Sequence, residues 1–187
     1  MKDRYAIRWR SIYNSKPGTN QRERFERAIL PHLDAAYNLA RWLTGNAHDA
    51  DDVVQDASVR ALTFFDSFRG EDGRGWLLTI VRNTCYDWLR KNRSAALVAV
   101  EQTELESAPD NSPSAEAEQL RQADGRMLQA GLEALPLEYR EALVLRELEG
   151  LSYREIAQVT GTPMGTVMSR LARGRKRLEM VLKEKRP

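Results

Sequence analysis

Four side chains near the C-terminus, Thr166, Ser169, Arg170 and Arg173, recur every three or four residues, so on a helix they share one side. Hydroxyls and guanidinium groups in that pattern form no nucleophile–base pair. They are donors of the kind that read base edges, and an arginine can bind guanine through two hydrogen bonds. Met168 lies among them. Arg175, Lys176 and Arg177 follow, and consecutive cations suit phosphates, which give affinity without sequence information. From Pro163 to Pro187 there are eight basic residues against two acidic ones, in a chain whose whole net charge is only +2.

The elements that must position these residues are legible around them. Gly150 can end a preceding helix in a left-handed conformation. Ser152 with Glu155 is a capping box. Tyr153, Ile156, Ala157, Val159 and Thr160 follow helical spacing. Gly161 suits a sharp turn, Thr162 an N-cap and Pro163 a first helical position. The next helix would bury Val167, Leu171 and Leu178, with Gly174 interrupting it at a cost of up to ~1 kcal/mol relative to Ala. Two helices, a tight turn and a basic second helix make a helix-turn-helix aimed at a DNA major groove. A solvated amphipathic helix is the plainer alternative; turn, caps and charge together favour the DNA-binding reading.

With 187 residues, 42% of them hydrophobic and 30% charged, the chain can build one or two small packed domains. No apolar run reaches the roughly 18 residues of a bilayer span, and no apolar stretch follows the basic N-terminus to make a signal peptide. The single cysteine, Cys85, excludes an internal disulfide framework and fits a reducing cytoplasm. Within a helical pattern it reads as a packing residue before a redox sensor. His32 and His48 are isolated, so no metal site is expected. There is no phosphate-binding glycine loop and no nucleophile elbow. The sequence points to no enzyme and calls for no cofactor.

The expected architecture is all-α: two small helical domains joined by a flexible acidic linker. The bounds read from the sequence are a flexible basic N-terminal segment at 1–20, a first domain at 21–93, the linker at 94–118 and the helix-turn-helix domain at 119–187. Residues 94–119 contain six acids and no lysine or arginine, with Pro109 and Pro113 in a Ser/Asn/Asp-rich stretch, a composition that cannot build a core. Before it, Gln21–Thr44 has helical spacing that Pro31 should break or kink, and Gly45 should end. Asp49–Phe65 follows with Val53, Val54, Ala57, Val59, Ala61, Leu62 and Phe65 as its apolar positions. Trp76–Arg90 is a third helix, with Leu77, Ile80, Val81, Thr84, Cys85, Trp88 and Leu89 inward. After the linker, Ala117–Ala134 reads as helical, and Pro136 starts a helix with Tyr139, Ala142, Leu143, Leu145 and Leu148 inward.

Two features of the first domain ask for a partner. One is the acidic side of its second helix, with Asp51, Asp52, Gln55 and Asp56. The other is the stretch from Phe64 to Arg93, where aromatics alternate with Arg69, Arg74, Arg82, Arg90, Lys91 and Arg93. That is the composition of a single-strand nucleic-acid surface, where bases stack and cations follow the phosphates. Trp76 and Trp88 read better as core; the loop from Phe68 to Arg74 reads as functional.

Over about Phe25 to Leu182 the chain resembles bacterial RNA polymerase sigma factors of the extracytoplasmic-function (ECF) type, which keep only sigma regions 2 and 4. Asp49–Asp56 is similar to region 2.2, Gly75–Arg90 to region 2.4, and Leu135–Leu178 to region 4. The resemblance implies a transcription initiation factor that binds core RNA polymerase through Asp51, Asp52, Gln55 and Asp56. It implies that Phe68, Arg69, Arg74, Asn83, Tyr86, Asp87 and Arg90 melt and capture the −10 element. Thr166, Met168, Ser169, Arg170, Arg173, Arg175 and Lys176 would meet the −35 duplex. Met168 stands where many members carry a basic residue, which implies a different −35 preference. An anti-sigma factor is a further implied partner, and the implied location is cytoplasmic, without membrane insertion. The basic segment before Asn20 lies outside the resemblance. Two rivals are an ordinary regulator whose output is the helix-turn-helix and a sigma mimic that only binds an anti-sigma factor. The first would need a ligand or receiver domain that no strand pattern supplies; the second could dispense with the basic helix that this chain has kept.

Overall fold

The computed structural model describes residues 19–70, 72–96, 125 and 127–184. The N-terminal segment and linker expected from composition fall on residues 1–18 and 97–118, outside the described residues, apart from Thr19–Asn20 and Ser94–Ala96, which are helical. All regular elements among the described residues are helical, in keeping with the all-α expectation.

Helix α1 (Thr19–Ile29) and α2 (Leu33–Thr44) flank a 3₁₀ turn at Leu30–His32. Pro31 is the cause: it lacks an N–H, and its ring crowds the preceding turn. Gly45 ends α2 with φ +92°, its N–H donating to the Arg41 carbonyl, a conformation glycine adopts without a Cβ penalty. Helix α3 (Ala47–Phe64) starts at Asn46, whose side-chain oxygen accepts from the Asp49 N–H at 2.8 Å. Helix α4 (Gly73–Ala96) starts behind Asp72, whose carboxylate accepts from the Gly75 N–H at 2.9 Å. It is longer than the expected Trp76–Arg90 at both ends.

These four helices enclose Phe25, Ile29, Leu39, Leu43, Val53, Leu77, Leu78 and Val81, each 0–1% exposed. Gly73 marks a close approach. A Cβ there would lie 2.1 Å from the Ala28 carbonyl oxygen, so only glycine lets α4 begin against α1. Val59, expected inward, is 46% exposed, and Ser58 is buried in its place, because α3 turns the latter toward the core.

The second unit comprises α5 (127–133), α6 (Leu137–Leu143), a π-helical turn at Val144–Leu148, α7 (Tyr153–Thr160) and α8 (Met164–Glu184). The π turn explains a second departure. The Glu149 N–H donates to the Val144 carbonyl, five residues back, at 3.0 Å. The wider turn rotates the helix out of its 3.6-residue phase, so Leu148, expected inward, is 49% exposed. Gly174, expected only as a weak point, is buried where α8 crosses α6. A Cβ there would lie 3.3 Å from Leu143 and 3.4 Å from Tyr139.

The units touch each other. Helix α4 packs on α7, and α2 on α6. Arg140 ties them: its guanidinium donates to the Leu132, Glu133 and Leu135 carbonyls within its own unit and to the Trp42 carbonyl of the other at 3.1 Å.

Candidate nucleic-acid interfaces

Local rules place α8. Ser152 and Glu155 form the reciprocal capping box that starts α7, and hydrogen bonds from Ser152 hold the Glu155 carboxyl below the usual carboxylate range. Ile156 and Val159 face the core, and Gly161 turns the chain at φ +65°. Thr162 does not cap α8 as expected. Its hydroxyl lies 2.8 Å from that of Thr160; the helix starts at Met164, with the Pro163 carbonyl accepting from Thr166 and Val167. The Thr160 hydroxyl donates to the Ile156 carbonyl at 2.7 Å, which leaves the Thr162 hydroxyl to donate to Thr160 across the turn.

Val167, Leu171 and Gly174 face inward and anchor α8. Met168, Arg173, Lys176 and Arg177 are exposed, and Thr166, Ser169 and Arg170 are half-buried. The Ser169 hydroxyl donates to the Thr166 carbonyl at 2.9 Å. Arg175 is not free for phosphate. Its Nε and Nη2 donate to Glu147 Oε1 at 3.1 and 2.7 Å, in a pair about half exposed on each side. Such a pair contributes little stability and can exchange for another anion.

In the first unit, Phe68 is engaged rather than open. Its ring stacks on Phe65 at 5.7 Å and tilts against Trp76 at 5.1 Å, and Phe65 meets Phe25 edge-on at 4.9 Å. The aromatic cluster pins the loop, because a ring this close to the α1–α4 junction gains more from burial than from water. Arg69 is exposed beyond it. Trp76 and Trp88 pack partly buried against the core. Asp87 lies between Arg60 at 3.1 Å and Arg90 at 2.8 Å, and Asn83 is exposed.

Two cations of this surface, Arg74 and Arg82, reach across to the second unit. Arg74 Nη2 donates to the Glu149 backbone carbonyl at 2.6 Å and to its carboxylate at 2.8 Å, which also accepts from Asn38 at 3.3 Å. Arg82 Nε donates to Glu141 Oε1 at 2.7 Å, and the Tyr86 hydroxyl to Glu141 Oε2 at 3.2 Å. The Arg82 guanidinium lies over the Tyr86 ring at 4.2 Å. Burial pushes the Glu141 carboxyl up, with Arg82 pulling it back. Burial and then Glu141 push Tyr86 up to about 12 and Cys85 up to about 12. Cys85 is therefore a buried, protonated thiol, as the packing reading expects.

On α3, Asp51 and Gln55 are half-buried and Asp52 and Asp56 exposed, with His48 Nδ1 3.5 Å from the Asp52 carboxylate. Val59 sits one turn beyond Gln55 and adds one exposed apolar side chain to this surface. Sequence reasoning counted Val59 among the apolar positions of its helix and Arg82 among the cations of the nucleic-acid surface; it missed Glu141 and Glu149. The signal for Glu141 was spacing: it stands four residues from both Leu137 and Leu145, on the inward side of its helix. Among the described residues no group of His, Cys, Asp and Glu side chains could hold a metal ion, and no helix is long and apolar enough to cross a membrane.

An acidic helix, an aromatic and basic helix, and a helix-turn-helix with a basic outer surface lie on the two units. Comparison with known families covers both units. The family described as "Sigma-70 region 2" matches residues 28–95, and "Sigma-70, region 4" matches residues 125–178. The chain is 37% identical over 162 residues to the ECF RNA polymerase sigma factor EcfG of Rhodopseudomonas palustris, covering 83% of this chain and 81% of that one. It is 35% identical over 154 residues to the ECF RNA polymerase sigma factor SigE of Mycolicibacterium smegmatis, covering 82% of this chain and 60% of that one. The solved structure of the sigma factor RpoE in complex with the anti-sigma factor NepR from Bartonella quintana superposes with a TM-score of 0.67 at 30% identity, covering 88% of this chain and 99% of that one. The chain belongs to the sigma-70 family, as a sigma factor of the ECF type, and so to the transcription initiation factors of RNA polymerase.

Proposed function

We propose that this protein binds core RNA polymerase through the acidic side of α3, reads the −35 element as duplex with α8, and captures the melted −10 strand on α4 and the loop before it. The observation that carries the reading is α8 itself, whose core side is fixed by Val167 and Leu171 while Arg173, Lys176 and Arg177 stand in solvent with Thr166, Ser169 and Arg170 beside them. Thr166, Ser169, Arg170 and Arg173 meet base edges; Lys176, Arg177 and, once released from Glu147, Arg175 meet phosphates.

On α3, Asp51, Asp52, Gln55 and Asp56 present negative charge to a basic partner surface, which sets encounter rate and register, and Val59 adds apolar contact. On α4, Asn83, Tyr86, Asp87 and Arg90, with Arg69 and Arg74, face the single strand. Phe68 supports that loop from within. Unstacking a base costs a few kcal/mol, and a site that holds the flipped base offsets it.

The described arrangement is closed toward this work. Arg74 and Tyr86 of the −10 surface, and Arg82 beside them, are taken by carboxylates of the second unit. Promoter reading therefore needs the two units to separate. An anti-sigma factor, of the kind bound to the Bartonella RpoE, would regulate the same exposure of these surfaces.

Run-off transcription with purified core polymerase on a library of promoter fragments tests the proposal. Initiation that depends on the protein, with shared −35 and −10 elements among the templates used, supports it. Duplex binding by the protein alone, with no initiation, would assign it instead to ordinary regulators.

A further inference from the structure

Helix α8 carries an apolar stripe beside its polar one. Met164, Met168 and Ala172 recur every four residues and are exposed, Met164 and Met168 at 53 and 50%. Residues at this spacing lie on one side of a helix. Thr166, Arg170 and Arg173 occupy the opposite flank, with Ser169 between the two. Met164 is the first residue of α8, so the stripe runs along the N-terminal half, the part of a recognition helix that reaches base edges. Neither methionine belongs to the hydrophobic core.

An apolar stripe on so cationic a helix calls for an occupant that is a polyanion yet locally apolar. Duplex DNA meets both conditions. The phosphates answer Arg173, Lys176 and Arg177, and the major groove displays the C5-methyl group of thymine. We infer that Met164 and Met168 read thymine methyl groups in the −35 duplex, with Ala172 extending the contact; this rests on the assignment of α8 as the −35 helix. A thioether side chain is unbranched and polarizable and can follow the methyl over a range of positions. The polar flank then reads hydrogen-bonding edges, and the methionine flank reads methyls.

The test uses holoenzyme, formed from core polymerase and the full chain, and a promoter duplex selected by that holoenzyme. Each thymine of the −35 element is replaced singly by deoxyuridine, which pairs with adenine but lacks the methyl. Binding is measured for the wild type and for Met164→Ala and Met168→Ala, whose exposed positions leave the fold intact, as a thermal melt would verify. The wild type should lose roughly fourfold in affinity at one or two positions, the weight of one buried carbon. Met164→Ala or Met168→Ala should bind the thymine duplex more weakly and lose the discrimination at the corresponding position. A wild type indifferent to deoxyuridine at every position overturns the inference, as does a selected element without thymine on either strand, or a pair of variants that discriminate as the wild type does. If Arg173→Ala still lowers promoter affinity under those outcomes, the −35 assignment of α8 stands and only the methyl contact falls. If Arg173→Ala is also silent, the assignment falls with it.

Discussion

Arg82 Nε and Glu141 Oε1 meet at 2.7 Å across the two helical units, with the Glu141 side chain wholly shielded from solvent. Removing one partner of such a pair strands a buried charge, at about 3–5 kcal/mol where the structure cannot relax. Here it can relax, by letting the units part and Glu141 hydrate. Arg82→Ala should therefore lengthen the distance between fluorescent labels at the exposed positions Val59 and Met180. Adding Glu141→Gln should recover part of the closed distance, because a neutral amide tolerates burial better. An unchanged distance in Arg82→Ala would mean that this contact does not hold the units together.

The same carboxyl gives the closed arrangement a pH dependence. Arg82, Cys85 and Tyr86 face Glu141 from α4, and Arg170 acts on it from α8. The net effect in the closed state is a raised pKa, dominated by burial; in the open or unfolded chain the carboxyl returns to the ordinary carboxylate range. The closed state thus takes up the proton more readily, so Glu141 favours closure increasingly as pH falls through its raised pKa, and fully once pH is below the ordinary carboxylate range. The labelled distance should shorten on mild acidification. Glu141→Gln should lose that part of the response, and an identical response in both proteins would assign it to other groups.

Asp52→Lys and Asp56→Lys reverse exposed charges on the outer side of α3, away from its core contacts. Core-polymerase binding should weaken by about tenfold or more at low salt and converge on the wild type as salt rises. Stability should stay within about 0.5 kcal/mol. Fluorescence anisotropy with labelled protein would measure the first and a urea melt the second. Unchanged binding would remove α3 from the docking surface.

Arg173→Ala and Lys176→Ala should differ in kind. Loss of a bidentate base contact at Arg173 should cost about 1–3 kcal/mol and relax preference at one −35 position. Loss of a phosphate contact at Lys176 should weaken all sequences alike and reduce the salt slope by about 1. Holoenzyme binding to a library of −35 variants at several salt concentrations separates the two.

Gly73→Ala should destabilise the first unit by about 1–3 kcal/mol, as forced overpacking does. The added Cβ would meet the Ala28 carbonyl oxygen at 2.1 Å, and backbone cannot rotate away as a side chain can. A fall in denaturation midpoint with α3 unaffected in polymerase binding is the expected result.

Several helix ends were legible because each has a local cause, although Thr162 does not cap α8 and α4 outruns its expected bounds. Pro31, Gly45, the Ser152–Glu155 box and Gly161 act within a turn or so of their own position. What escaped the sequence depends on distant chain. Phe68 lies in a loop, and only the fold shows that Phe65 and Trp76 enclose it. Gly174 looked like a weakness until α6 crossed it. Leu148 and Val59 followed the apolar period but point outward, one because a π turn shifts the phase and the other because Ser58 takes the inward place. Arg74 and Arg82 were readable as cations of a nucleic-acid surface, but their partners Glu149 and Glu141 lie more than fifty residues away. No local pattern pairs residues at that separation.

The central claim is tested most directly by permanganate footprinting of a promoter complex formed by core polymerase and this protein. The account predicts reactive, unpaired thymines confined to the −10 element, with the −35 element protected but still duplex, and loss of that reactivity in Arg90→Ala with the −35 protection kept. A complex that protects the −35 element without opening the −10 element, or opening that proceeds equally in the absence of the protein, would contradict it.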